Sequence, residues 1–262
     1  MKYFAYGSNC NPARMAAKKV TTTERVRATL PEYKLVFDKR ALRDHLPETI
    51  GYANIAPAPE HTVEGILYTL DPDDRATLDA SERYPDHYTR IEITVETEAG
   101  PVDCFTYQAR PEVTGEGLRP SRNYLNHILE ARDFLSHAYY AALDRTQTFH
   151  GACGVCDKTE EVWFIREATA FHWLCQPCRE ARHVWGAARG HRLSVAEATA
   201  VMALVRERGG FPSIPELLEA AEAEGILARD RTPPAQRIAH HLYGSRRSLH
   251  AEVRGRPSEE SG

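Results

Sequence analysis

Four cysteines stand in two pairs, Cys153-x2-Cys156 and Cys175-x2-Cys178, with 18 residues between the pairs. Thiolates are good zinc ligands, and two such knuckles brought together hold one tetrahedral ion. Four thiolates leave no open position, so zinc there would be structural. Between the pairs, "EVWFI" and "FHWL" can form a hairpin that joins the knuckles, and "REARHVWGAARG" can form a helix after the second one. The arrangement is treble-clef-like or ribbon-like. A dithiol redox motif fits less well, since it normally uses one CxxC at a helix start. His150 and His172 are read as bystanders. The other cysteines, Cys10 and Cys104, stand alone, and the grouping favours metal in a reducing compartment over secreted disulfides.

A second chemistry is suggested near the start. "YFAYGSN", Tyr3 to Asn9, is an aromatic, apolar run that breaks into Gly-Ser-Asn. Such a loop exposes successive backbone N–H groups, a setting for a carboxylate or a developing oxyanion. Farther on, "DPDDRATLDASE" reads as a helix with Asp71 as N-cap and Pro72 at its first position. Leu78 and Glu82 lie one turn apart on it and share a face. If Leu78 faces the core, Glu82 points inward at the helix end. In apolar surroundings, the dipole and desolvation would both push its pKa up, as suits a general base. The plainer readings stay open at this point: an ordinary turn for Gly-Ser-Asn and a solvated acid for Glu82. Spacing alone favours them.

The elements that must position these groups are mostly strands. "KYFAYG", "YKLVFDKR" (33–40), "EGILYTL" (64–70), "RIEITVET" (90–97) and "VDCFTYQA" carry apolar or alternating patterns, with turn signals between them. Five strands suggest a small, partly closed barrel or curled sheet. "PSRNYLNHILEARDFLSHAYYAAL" places Tyr124, Leu125, Ile128, Leu129, Leu135, Tyr139 and Leu143 at helical spacing, a helix able to cover one face of the sheet. The 262 residues suit two domains, and 42% hydrophobic with 27% charged residues is ordinary for a globular chain. A net charge of −4 implies no global attraction to nucleic acid or anionic membrane. No run approaches a membrane span and no N-terminal apolar segment reads as a leader, so a soluble cytoplasmic protein is expected.

Five segments occur in order: "YFAYGSN", "GYANIAP" (51–57), "VEGILYTL" (63–70), "LDASERYPDHYTR" (78–90) and "PSRNYLNHIL" (120–129). Together they resemble the γ-glutamylcyclotransferase-like family, which includes the AIG2-like proteins, over roughly residues 1–145. The resemblance implies a small mixed β-barrel with flanking helices. It also implies the release of 5-oxoproline from a γ-glutamyl amine or peptide by attack of the α-amine on its own γ-carbonyl. Tyr6, Gly7, Ser8 and Asn9 match the family's substrate loop, Glu82 its catalytic acid/base, and Tyr88 a tyrosine lining the cavity. Cys10, next to the loop, stands where the family usually has a large aliphatic residue and is taken with the substrate-binding set. As a nucleophile it lacks an evident His partner, and a buried free thiol is the commoner case. Arg83 stands where Gly often follows the glutamate. No cofactor is implied for the chemistry. The expected partner is a small γ-glutamyl substrate or a γ-glutamyl carrier protein.

The expected organisation is α+β: a cyclotransferase-like domain at 1–145, a four-cysteine zinc segment at 150–190, a helical extension at 193–250 and a disordered tail at 251–262. In the extension, Ser213-Ile214-Pro215-Glu216 is a capping box and Gly225 a helix stop. A helix from Thr232 to Tyr243 would follow, loosely resembling a helix-turn-helix, with a basic stretch after it. The alternative reading is a non-catalytic small-molecule domain fused to a nucleic-acid or protein adaptor. Amphipathic helices with arginines on the solvated face are the usual explanation of such a basic stretch, and no aromatic stacking motif accompanies it.

Overall fold

A computed structural model describes residues 1–42, 46–167, 170–210 and 213–228. The expected helix at 232–243 and the tail at 251–262 lie outside the described residues. The chain divides into two compact units, Met1–Phe149 and His150–Gly262.

The first unit is a closed five-stranded barrel. Its strands are β1 (Lys2–Ala5), β2 (Thr22–Arg40), β3 (Gly51–Leu70), β4 (Tyr88–Thr97) and β5 (Gly100–Ala109). They lie in the order β1-β3-β2-β4-β5, and Tyr3 pairs in parallel with Phe105 to close the ring. Closure gives every strand two neighbours and removes open edges. Phe4, Ile55, Val63, Ile66, Tyr68 and Val95 are fully buried in the core. Strands β2 and β3 run much longer than the apolar stretches read from the sequence. Their middle portion carries Pro31, Pro57 and Pro59, and the register shifts between the Pro31–Thr62 and Tyr33–Pro57 pairs. Proline cannot donate to a ladder and breaks the alternation, so each strand reads as a fragment although the ladder resumes beyond the irregularity.

Short helices pack around the barrel. α1 (Pro12–Ala17) follows the first strand, with the Asn11 side chain accepting from Ala13 N. Asp71 caps as expected, but it caps a 3-10 turn at Pro72–Asp74 that runs on into α2 (Arg75–Glu82). The single long helix expected after Pro120 is instead two, α3 (Arg122–Leu129) and α4 (His137–Asp144), separated by a 3-10 turn. Ser136 causes the second start. Its hydroxyl accepts from Tyr139 N, while its own N–H and hydroxyl both donate to the Glu64 carboxylate at 2.6 Å. An N-cap bound so firmly to the barrel restarts the helix where spacing alone would continue it.

The second unit begins with a three-stranded sheet, β6 (His150–Ala152), β7 (Thr159–Glu167) and β8 (Ala170–Cys175), with β7 in the centre. Val162 pairs with Cys175 and Glu167 with Ala170, which is the expected hairpin. α5 (Gln176–Ala187), α6 (Val195–Glu207) and α7 (Ile214–Ala223) follow. Ser213 caps α7 through Glu216 N, and Gly225 adopts φ +72° beyond its end. Ser194 and Glu197 form a further capping box at the start of α6.

Candidate active site and cysteine cluster

A small cavity opens on the first unit. Tyr3, Tyr6, Gly7, Ser8, Asn9, Ala53, Glu82, Tyr88, Tyr107 and Tyr124 line it. Of the residues read from the sequence, Tyr6, Gly7, Ser8, Asn9, Glu82 and Tyr88 therefore meet in one place.

The Gly-Ser-Asn segment leaves β1 and tightens into a 3-10 turn at Ser8–Cys10, closed by Cys10 N donating to Gly7 O at 2.9 Å. Gly7 has φ −106°, so a left-handed conformation is not why glycine stands there. The reason is proximity. A Cβ on Gly7 would lie 3.2 Å from Ala53 Cβ and 3.3 Å from Tyr124 Oη. Tyr124 in turn accepts from Ala53 N at 3.0 Å, which ties α3 to β3 across the loop.

Cys10 does not line this cavity. Its side chain is fully buried on the far side of the turn, with Sγ donating to Ala5 O. Burial pushes the thiol up to about 12, so it is neutral and not poised as a nucleophile. Its expected place in the substrate-binding set is thus corrected: the turn points residue 10 inward, where a small apolar group fits.

Glu82 is the last residue of α2, brought to the cavity by the helix face that buries Leu78 completely. Arg83 follows at φ +52°, and the bonds from Arg83 N to Ala80 O and from Tyr84 N to Asp79 O form a Schellman closure. This left-handed position favours glycine, which gives physical content to the departure at residue 83. The surroundings of Glu82 are not the apolar ones expected. Its Oε1 accepts from Asn9 Nδ2 at 3.0 Å and from Lys18 Nζ at 2.6 Å. Lys18 lies beyond the end of α1, and nothing in its local sequence marks it as part of a site.

Five tyrosines share the wall, and burial raises the pKa of each. For all five the nearby Glu82 charge adds to the rise. All five therefore stay protonated at neutral pH. Tyr6 donates to Tyr107 O, Tyr107 to Asp79 Oδ1 at 2.6 Å, and Tyr88 to Ala53 O at 3.2 Å. Tyr3 Oη accepts from Asn9 Nδ2 at 2.8 Å. Tyr3 and Tyr124 lie within segments quoted above as motifs, so their membership was open to reading. Tyr107 carried no signal beyond its place in a strand.

In the second unit the Sγ atoms of Cys153, Cys156, Cys175 and Cys178 all lie within 4.8 Å of one another, with Cys156 and Cys175 at 3.7 Å. Four thiolates at about 2.3 Å from one tetrahedral ion would stand about 3.8 Å apart, so the cluster has the right size for zinc. Cys153 and Cys156 flank the turn after β6, with Asp157 N donating to Cys153 O at 2.9 Å. Cys175 ends β8 and precedes α5, and Cys178 lies in the first turn of that helix. Burial works against a thiolate at Cys153, but N–H groups of Cys175, Cys156 and Val155 outweigh it and draw its pKa down to about 7. His150 and His172 are not in the cluster.

Comparison with known proteins agrees with this geometry. Residues 3–126 match the family described as gamma-glutamyl cyclotransferase, AIG2-like. The gamma-glutamylcyclotransferase of Bos taurus is 29% identical over 124 residues, 47% of this chain. The chain spans 64% of that protein's length. A solved structure described as gamma-glutamyl cyclotransferase is 25% identical, with a TM-score of 0.50, over 57% of this chain and 89% of its own. A solved Homo sapiens protein described as uncharacterized is 26% identical, with a TM-score of 0.49, over 56% of this chain and 88% of its own. The match thus falls on the first unit, whose residues 3–126 are similar to the gamma-glutamyl cyclotransferase, AIG2-like family. Among the described residues, no helix is long and apolar enough to cross a membrane.

Proposed function

We propose that the first unit cyclises γ-glutamyl amines or peptides, releasing 5-oxoproline, with Glu82 as general acid/base. The observation that carries this reading is the meeting of the Glu82 carboxylate with the Gly7-Ser8-Asn9 turn and Tyr88 on one small cavity. The nucleophile and electrophile belong to one substrate, so folding it into a five-membered ring geometry supplies much of the rate. Glu82 takes a proton from the α-ammonium. The freed amine attacks the γ-carbonyl carbon, the leaving nitrogen takes the proton from Glu82 as its bond to that carbon breaks, and the second proton shed by the ring nitrogen passes by way of Glu82 to the released amine, which departs as an ammonium. Developing charge on the carbonyl oxygen meets protonated phenols and the amides of the turn. The comparisons lend support to small γ-glutamyl substrates and none to a carrier protein or nucleic acid.

The four-cysteine cluster is proposed to hold one structural zinc. All four positions would be filled by thiolates, so the ion supplies a cross-link between the β6–β7 turn and the start of α5.

The test is a screen of γ-glutamyl amines and dipeptides against the full chain, reading 5-oxoproline. Release from at least one of them is expected. A folded protein inert towards all of them overturns the reading.

A further inference from the structure

Glu82 has two carboxylate oxygens, and the structure treats them differently. Oε1 accepts from Lys18 Nζ at 2.6 Å, from Asn9 Nδ2 at 3.0 Å and from Ser81 Oγ at 3.4 Å. Among the described residues no group donates to Oε2. Lys18 Nζ also donates to Asn9 Oδ1 at 2.7 Å. Asn9, Lys18 and Glu82 thus close a triangle in which each contacts the other two, and Asn9 Nδ2 anchors it to Tyr3 Oη at 2.8 Å. The network also orients the Asn9 amide, because reversing it would set its N–H groups against the ammonium. Lys18 is not on the cavity wall, whereas Asn9, Glu82 and Tyr3 are. It therefore stands behind the reacting groups. The side chains of Lys18 and Glu82 are only 16% and 17% exposed, so water competes weakly for the pair.

We propose that Lys18 is a positioning residue for the cyclotransferase reaction, holding Glu82 Oε1 so that Oε2 is the oxygen that exchanges a proton with substrate. This rests on the reading above. The terminal torsion of a glutamate is soft, and an unheld carboxylate samples both oxygens and many angles. With Oε1 committed to Lys18 and Asn9, Oε2 is presented to the α-ammonium in one orientation. Each of the two protons shed by the α-nitrogen moves to Oε2 and then from Oε2 to the leaving nitrogen, while Lys18 takes no part in the transfer. The same ammonium holds Asn9, so the clamp also links the carboxylate to the substrate loop.

The experiment compares wild type, Lys18→Met and Lys18→Arg on whichever γ-glutamyl compound the screen finds. An interaction that serves only the transition state lowers kcat and leaves binding alone. We therefore expect kcat of Lys18→Met to fall by about tenfold or more with KM within about threefold, and Lys18→Arg to recover most of the loss. Side-chain nitrogen NMR of the native protein adds a readout that survives if Lys18→Met does not fold. The Lys18 ammonium should exchange protons with water slowly, and faster in Glu82→Gln. A folded Lys18→Met with wild-type kcat overturns the proposal. So does a raised KM at unchanged kcat, which would make Lys18 a substrate contact, or a freely exchanging Lys18 ammonium. A wild-type protein inert in the screen overturns the reading and this inference together. An active wild type with an indifferent Lys18→Met overturns the inference alone.

Discussion

The two candidate sites are built in opposite ways. The cavity wall draws on β1, the Gly7–Asn9 turn, β3, α2, β4, β5 and α3, so Tyr3 and Tyr124 meet across most of the first unit. The cysteine cluster draws on two knuckles within one short segment, Cys153 to Cys178, joined by a single hairpin. The first needs a complete barrel before any geometry exists. The second needs only a local hairpin, and an ion can do much of the ordering itself. One site is therefore a consequence of folding, while the other is proposed to be a cause of it.

The largest effect expected bears on the cavity. Glu82→Gln keeps the size and most hydrogen bonds of the side chain but removes the proton acceptor. Turnover should fall by about a hundredfold or more, with substrate binding changed much less. Undiminished 5-oxoproline release from this variant would take Glu82 out of the chemistry.

Next comes the contrast itself. Purified protein should contain about one equivalent of zinc. Cys175→Ser should lose that zinc and speed hydrogen exchange over residues 150 to 190, while activity on small substrates largely persists. If chelation abolished turnover with the first unit still folded, the division of labour between the two sites would be wrong. Metal-free protein with a disulfide between two of these cysteines would also break it.

Gly7→Val tests the close approach at the turn. The added side chain must displace Ala53 Cβ at 3.2 Å or Tyr124 Oη at 3.3 Å. The barrel should survive, since the displaced groups border the cavity, but kcat/KM should drop by about tenfold or more. Unchanged kinetics in a folded variant would reduce Gly7 to an ordinary turn residue.

The smallest effect concerns Arg83. A non-glycine residue at φ +52° is strained, whereas glycine loses more chain entropy on folding. Arg83→Gly should raise stability by about 0.5 kcal/mol, the balance of these two effects, measured by urea unfolding. A clear loss of stability would show that the Arg83 side chain contributes more than its backbone strain costs.

Residue types and short spacings carried part of this architecture on their own. CxxC pairs announce a knuckle because their ligands are only a few bonds apart. Ser213 with Glu216 announces a helix start for the same reason, and the strand into Gly-Ser-Asn together with Leu78 and Glu82 on one helix face was legible at short range. Other features were decided only in three dimensions. The full length of β2 and β3 depends on cross-strand pairing that resumes after a proline-rich irregularity, which no alternation pattern can show. The break between α3 and α4 depends on Glu64, distant in sequence, binding the start of α4 at Ser136. Which way Cys10 faces depends on the 3-10 geometry of its turn, and that geometry turns it from the cavity into the core. The setting of Glu82 was misread for a related reason. Its helix indicates which way it points, but the ammonium it meets comes from Lys18, 64 residues earlier. Local propensity acts through the chain's own bonds. The company a side chain keeps is chosen when the barrel closes.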